Sequence, residues 1–246
     1  LSLFFLLLVL AFLCELAGTV GGFGSSVFFV PLAGLFYSLH EVLILTALLH
    51  VSGNLSKMIL FRKYINWKTS VLFGLPGIVA VAIGAILISR FDIVFGEIVL
   101  SVFLLSFSAF LFFNPEWKAP KGKRYALAWA VIAGFLAGLI GTGGAIRGAA
   151  MTAYHFSKNV FVATSATIDM GVDLTRTLIY LNNGFLNAEH IPYIPALMGI
   201  SFLGSWTGKQ LLEKISQDVF RKIVLLLIFI TGMITLFKSL SMLFHG

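Results

Sequence analysis

Gly138-Leu139-Ile140-Gly141-Thr142-Gly143-Gly144-Ala145-Ile146-Arg147-Gly148-Ala149 sets five glycines and one arginine into an otherwise apolar run. The pattern occurs twice. At an offset of 120 residues, Ala17-Gly18-Thr19-Val20-Gly21-Gly22-Phe23-Gly24 lies on Ala137-Gly138-Leu139-Ile140-Gly141-Thr142-Gly143-Gly144, and glycines match at Gly18/Gly138, Gly21/Gly141 and Gly24/Gly144. Two copies of one unit, each broken at the same place, are expected.

The correspondence runs outward from the glycines. At an offset of 119, Asn54-Leu55 lies on Asp173-Leu174, Lys57 on Arg176 and Pro76 on Pro195; at 125, Phe95 and Ile98-Val99-Leu100 lie on Phe220 and Ile223-Val224-Leu225. An internal repeat in a membrane protein is the usual build of a secondary transporter, whose site lies between the repeats near mid-membrane.

Composition places the chain in a bilayer. Of its 246 residues, 59% are hydrophobic and 11% charged, with a mean hydropathy of +1.01; soluble domains average roughly 45–50% apolar and about 25% charged. The first twenty residues have no basic stretch ahead of the apolar run and read as a membrane segment rather than a signal peptide. The +7 net charge sits largely in short loops, where topology and anionic headgroups account for it, so no nucleic-acid partner is implied. Cys14 is the single cysteine, which excludes an intramolecular disulfide and a Cys-based metal site. No pattern asks for a metal or cofactor.

Apolar periodicity predicts helices over 3–19, 40–61, 69–89, 96–113, 125–140, 159–181, 191–211 and 221–243. The expected fold is therefore all-α and integral to the membrane: a first four-helix repeat over 1–113, a polar linker over 114–124 and a second repeat over 125–246. Between the first two helices of each repeat lies a Gly/Ser-rich piece, 21–38 and 141–157, too apolar for a wet loop and too glycine-rich for a plain helix. Loop charge bears on orientation. Lys57, Arg62, Lys63 and Lys68 surround the end of the second helix, while 181–190 in the other half has no Lys or Arg; after the third helix Arg90 stands against Lys209, Lys214, Arg221 and Lys222. Opposite bias in matching loops argues for inverted repeats, because positive loops stay in the cytoplasm. Four full crossings per half would make them parallel, so each glycine break is expected to be re-entrant.

Helix breaks at membrane depth must be buried or line a cavity, since bare N–H and C=O groups are costly in lipid. Glycine lets the chain turn and a ligand approach the backbone, and a restarting helix offers free N–H groups to an anion; the competing reading is close helix packing at small residues. Arg147 adds a cation whose guanidinium fork suits a sulfonate, sulfite or carboxylate, against snorkelling or pairing with a carboxylate; its repeat counterpart is Val27. Asp169, Asp173 and Arg176 share one helix face at i, i+4 and i+7, and Asp173 can pair with Arg176. The matching face carries His50, Asn54 and Lys57. Glu15, inside the first apolar run, and His50, Asp169 and Asp173 are the candidates for proton coupling, against structural neutralisation or hydrogen bonding. The aromatics read as lipid-facing bulk, with Trp67, Trp117, Trp129 and Trp206 anchoring helix ends. HExxH, GxSxG and Walker A patterns are absent, so no enzyme is expected.

With Gly21-Gly22-Phe23-Gly24-Ser25-Ser26 running on to Pro31, its echo Gly141-Thr142-Gly143-Gly144, and Asn54 followed by a basic turn and Trp67, the chain resembles the TauE/SafE sulfite exporters of the TSUP group of anion permeases. The resemblance spans nearly the whole chain. It implies passage of a small sulfur-containing anion, sulfite or an organosulfonate, across a bacterial inner membrane without ATP. Residue by residue it points to Gly21, Gly24, Ser25, Ser26, Pro31 and Asn54 in the first half and Gly141, Gly143 and Gly144 in the second. The second half departs where Met151 stands in the place of Pro31, which makes Arg147 a candidate specificity residue. The expected site thus combines these positions with Thr142 and Arg147, with Lys57 or Arg176 assisting. A channel and, more remotely, an integral-membrane enzyme are the alternatives; a homo-oligomer is an open option.

Overall fold

Carbonyl and N–H groups at membrane depth need partners within the chain, and the computed structural model meets that need with helices alone among the residues it describes: 2–21, 24–114, 117, 119–211, 226, 229–230 and 232–241. In order they are α1 (Ser2–Gly21), α2 (Ser26–Ala33), α3 (Leu39–Leu60), α4 (Trp67–Ile88), α5 (Ile93–Phe113), α6 (Lys123–Ile140), α7 (Gly144–Met151), α8 (Lys158–Asn182) and α9 (Tyr193–Leu211), followed by a helical stretch at 232–241. Five of them are long and apolar enough to cross a membrane: Leu3–Val20, Leu39–Leu60, Trp67–Ile88, Ile93–Phe113 and Lys123–Ile140. The helix start expected at Arg221, with the loop cations Lys214, Arg221 and Lys222, lies outside the described residues.

Caps mark where the helices begin. Ser38 and Glu41 form a reciprocal capping box at α3, Asn66 accepts from the Thr69 N–H at α4, and Asp92 accepts from Val94 at α5. The glycine-rich pieces are not irregular throughout. Each is a turn at glycine followed by a buried helix of eight residues, about 12 Å long at 1.5 Å per residue and too short to span a core of roughly 30 Å. The turns need glycine because Gly24 (φ +84°) and Gly141 (φ +77°) lie in the left-handed region.

Each turn sends the chain back along the helix it has just left. A β-carbon on Gly18 of α1 would lie 2.5 Å from the Ser25 nitrogen, so the returning strand presses on α1. On the other side, α7 runs back until Ala150 and Met151 pack with Ala126 and Ala130 near the start of α6. Beyond it, Lys121 lies 5.9 Å from the Tyr154 ring centre. The α1–α2 hairpin therefore opens at one end of the bundle and the α6–α7 hairpin at the other.

Helix contacts interlock the chain. α1 packs along α9 and α6 along α4; α3 also contacts α9, α8 also contacts α4, and α3 and α8 pack on each other. The α4–α6 seam is built on glycine: β-carbons on Gly84, Gly134 and Gly138 would meet backbone atoms of the facing helix at 2.2, 2.3 and 2.2 Å. Gly138, in the opening stretch, thus serves packing, while Gly141 serves the turn. Gly199 on α9 has nothing within 4 Å, so Gly199→Ala is expected to leave the melting temperature unchanged or raise it slightly, by up to about 1 kcal/mol of helix propensity.

Exposed Arg62, Lys63, Lys68, Lys121, Lys123, Arg124, Lys158 and Lys209 gather at one end, where Lys209 donates to the Leu60 carbonyl across the α3–α9 seam. Two expectations need correcting. Lys57 is not a loop cation but a buried one, 5% exposed, because a carboxylate on α1 faces it. Nor are the phenylalanines all lipid-facing: Phe29, Phe61 and Phe73 are fully buried, filling the space under the short helices and between α3, α4 and α8.

Candidate functional site

The two breaks meet. A β-carbon on Gly24 would lie 3.8 Å from the α-carbon of Gly144, so the matched glycines face each other where α2 and α7 both begin. The first N–H groups of two short helices converge there, each at the positive end of its dipole.

Around this point α1, α3, α7 and α8 bring together buried charges that are far apart in the chain. Glu15, 0% exposed, accepts from Lys57 Nζ at 2.7 Å, Ser25 Oγ at 2.5 Å and Ser205 Oγ at 3.1 Å. Glycine at position 53 leaves room for that carboxylate, since a β-carbon there would be 2.7 Å from Glu15 Oε2. Ser25 Oγ also lies 2.8 Å from His50 Nε2. The other ring nitrogen of His50 is 3.4 Å from both Asp173 Oδ2 and Arg176 Nη2. Asn54 donates to Asp173 at 2.7 Å, and Arg176 Nε donates to the same carboxylate at 2.7 Å.

Arg176 then reaches the second break. Its Nη1 donates to the carbonyls of Gly141 (2.9 Å) and Ala137 (3.2 Å), and Tyr180 donates to Gly138 O at 2.6 Å. These carbonyls are the ones α6 leaves unpaired when the chain turns at Gly141, so a cation there satisfies both the bare acceptors and the negative end of the helix. The third pair is Arg147 with Asp169: the guanidinium donates to both carboxylate oxygens and to Ser165 Oγ at 2.8 Å.

The cluster contains Glu15–Lys57, Asp173–Arg176 and Asp169–Arg147, cation and carboxylate matched one to one, with His50 linking the first two. Such balance is required, because an unmatched charge away from water costs several kcal/mol. At the second break, the buried Thr142 Oγ1 and Arg147 Nε are without a partner among the described residues. A cavity of about 20 Å³ touches Gly24, Asn54, Lys57, Ser165 and Asp169, room for about one water molecule.

The structure thus collects Gly24, Ser25, Asn54, Lys57, Gly141, Gly144, Arg147 and Arg176 with Glu15, His50, Asp169 and Asp173. Gly21 ends α1. Ser26 is buried at the start of α2, and Pro31 is farther along that helix among its buried residues. Gly143 allows the turn to press on α6, where a β-carbon would strike the Ala133 carbonyl. Ser165, Ser205 and Tyr180 were not legible as participants: isolated hydroxyls in apolar helices carry no pattern, and only Gly53 and Gly204, which border Glu15, hinted at a group needing room.

The family model described as sulfite exporter TauE/SafE matches residues 7–235. The chain belongs to this family. Membership and the span-capable helices make it a multi-pass membrane transport protein. No curated protein and no solved structure matches the chain.

Proposed function

We infer that this TauE/SafE protein is a secondary permease for a small sulfur-containing anion such as sulfite or an organosulfonate, bound where the two breaks face each other and released by rocking one half against the other. The observation that carries the reading is the Gly24–Gly144 approach: two helix N-termini converge, with Lys57, Arg147 and Arg176 in the surrounding network.

Inverted repeats over 1–113 and 125–246, with re-entrant hairpins, account for the packing. Exchanging the halves turns the α1–α9 contact into α6–α4 and the α3–α9 contact into α8–α4, both of which occur. Matched residues also touch, as a twofold axis between α3 and α8 requires: Asn54 bonds to its counterpart Asp173. In a bacterial inner membrane the basic end faces the cytoplasm.

Sulfite flux into proteoliposomes is expected to saturate, to show counterflow, and to fall to background in Arg147→Ala with the protein still folded. Linear, non-saturating flux would favour a channel, and full activity in Arg147→Ala would remove the site.

A further inference from the structure

Resting on the permease reading, we propose that Asp169 is a tethered competitor: its carboxylate occupies the seat that the transported anion takes on Arg147, and when displaced it accepts the proton that travels with that anion.

The three carboxylates of the cluster are not equivalent. Glu15 is sealed by Lys57, Ser25 and Ser205, and Asp173 by Asn54 and Arg176, with His50 beside it. Among the described residues, Asp169 is held by Arg147 alone. Its side chain is the most open of the three, at 14% against 0% and 3%, and it lines the small cavity beside Gly24 and Lys57. Arg147, by contrast, is 4% exposed and keeps Nε unpartnered. A guanidinium edge that accepts two oxygens of a carboxylate presents the same spacing to two oxygens of a sulfonate or sulfite. An anion reaching the cavity therefore meets Asp169 there and can replace it on an unchanged guanidinium, which stays anchored because Arg147 Nη2 donates to Ser165 Oγ.

Charge balance makes a proton part of the exchange. With three cations against three carboxylates, an arriving anion leaves one negative charge in excess, which buried surroundings penalise. Among the described residues, Arg147 from α7 holds Asp169 and Lys57 from α3 lines the same small cavity, while His50 from α3 faces Asp173 and Arg176 farther along α8. Glu15, Lys57, Arg176 and Asp173 are already paired, so the displaced Asp169 carboxylate takes up one proton from the aqueous phase, relayed through the water that enters as the site opens. Anion and proton are then carried together. The same device is absent from the first half, where Val27 stands in the place of Arg147.

Methanesulfonate, which keeps its single charge across the working pH range, is the probe. Binding to detergent-purified wild-type protein, followed by calorimetry, is expected to tighten by about tenfold for each unit the pH falls, with uptake of about one proton per anion. Asp169→Asn is expected to bind about tenfold or more tightly at neutral pH and to lose the pH slope, while His50→Gln keeps it. A wild-type affinity independent of pH, or a slope lost in His50→Gln and kept in Asp169→Asn, overturns the proposal. If Asp169→Asn does not fold, the wild-type slope and the His50→Gln slope still decide. Failure of the permease reading looks different: neither methanesulfonate nor sulfite then binds saturably to the wild type or to any variant.

Discussion

Lys57→Met is expected to lower stability by about 3–5 kcal/mol, the cost of leaving a buried carboxylate without its cation. Glu15 is completely buried and receives Lys57 at 2.7 Å. The Ser25 and Ser205 hydroxyls that remain donate to it but bring no charge. Thermal unfolding in detergent should show a large fall in melting temperature for the single variant. The double variant Glu15→Gln/Lys57→Met should recover most of it, since replacing both members of a buried pair with neutral groups is often close to neutral. An equally unstable double variant would mean that packing around the lysine stem, rather than charge, holds this region.

Gly138→Val should be comparably damaging for a steric reason. Its first added carbon would lie 2.2 Å from the Val81 carbonyl and 2.6 Å from the Ala85 nitrogen; these are backbone atoms of α4 and can move only if the helix moves. Because Gly84 and Gly134 make matching contacts with the partner helix, shifting α4 opens the whole seam. Overpacking costs typically about 1–3 kcal/mol, and clashes with backbone belong at the upper end. Gly74→Ala on α4 meets nothing within 4 Å and serves as the control; its melting temperature should stay within about a degree or two of the wild type, as for other substitutions without a clash or lost partner. Equal losses at the two positions would show that general helix effects, not the seam, are responsible.

Much of the architecture was legible in the chain. Seven predicted helices fall within a few residues of those described, because in lipid a long apolar run has few alternatives to a helix that bonds its own backbone. Turns at Gly24 and Gly141 have a different local cause: both residues sit at positive φ, which glycine adopts without strain. The short helices that follow were not legible, since eight residues are too few to show periodicity, α2 carries Pro31, and α7 is mostly Gly and Ala. Part of the site could also be anticipated. The Asp173–Arg176 pair is three residues apart on one helix face, a relation local spacing reveals.

The remaining pairings depended on the fold. Arg147 stands 22 residues from Asp169, Lys57 stands 42 from Glu15, and Asn54 stands 119 from Asp173. Nothing local links such residues; each charge is assigned its partner by which helices pack together. Lys57 shows the difference most plainly, since in sequence it belongs with Arg62 and Lys63 at a helix end, yet α1 brings a carboxylate to it. By itself the sequence determined an all-helical membrane chain, because backbone hydrogen bonding acts within a few residues. Tertiary structure alone decided that the breaks face each other and that every cation of the cluster has a carboxylate, because neutralising buried charge depends on distance in space.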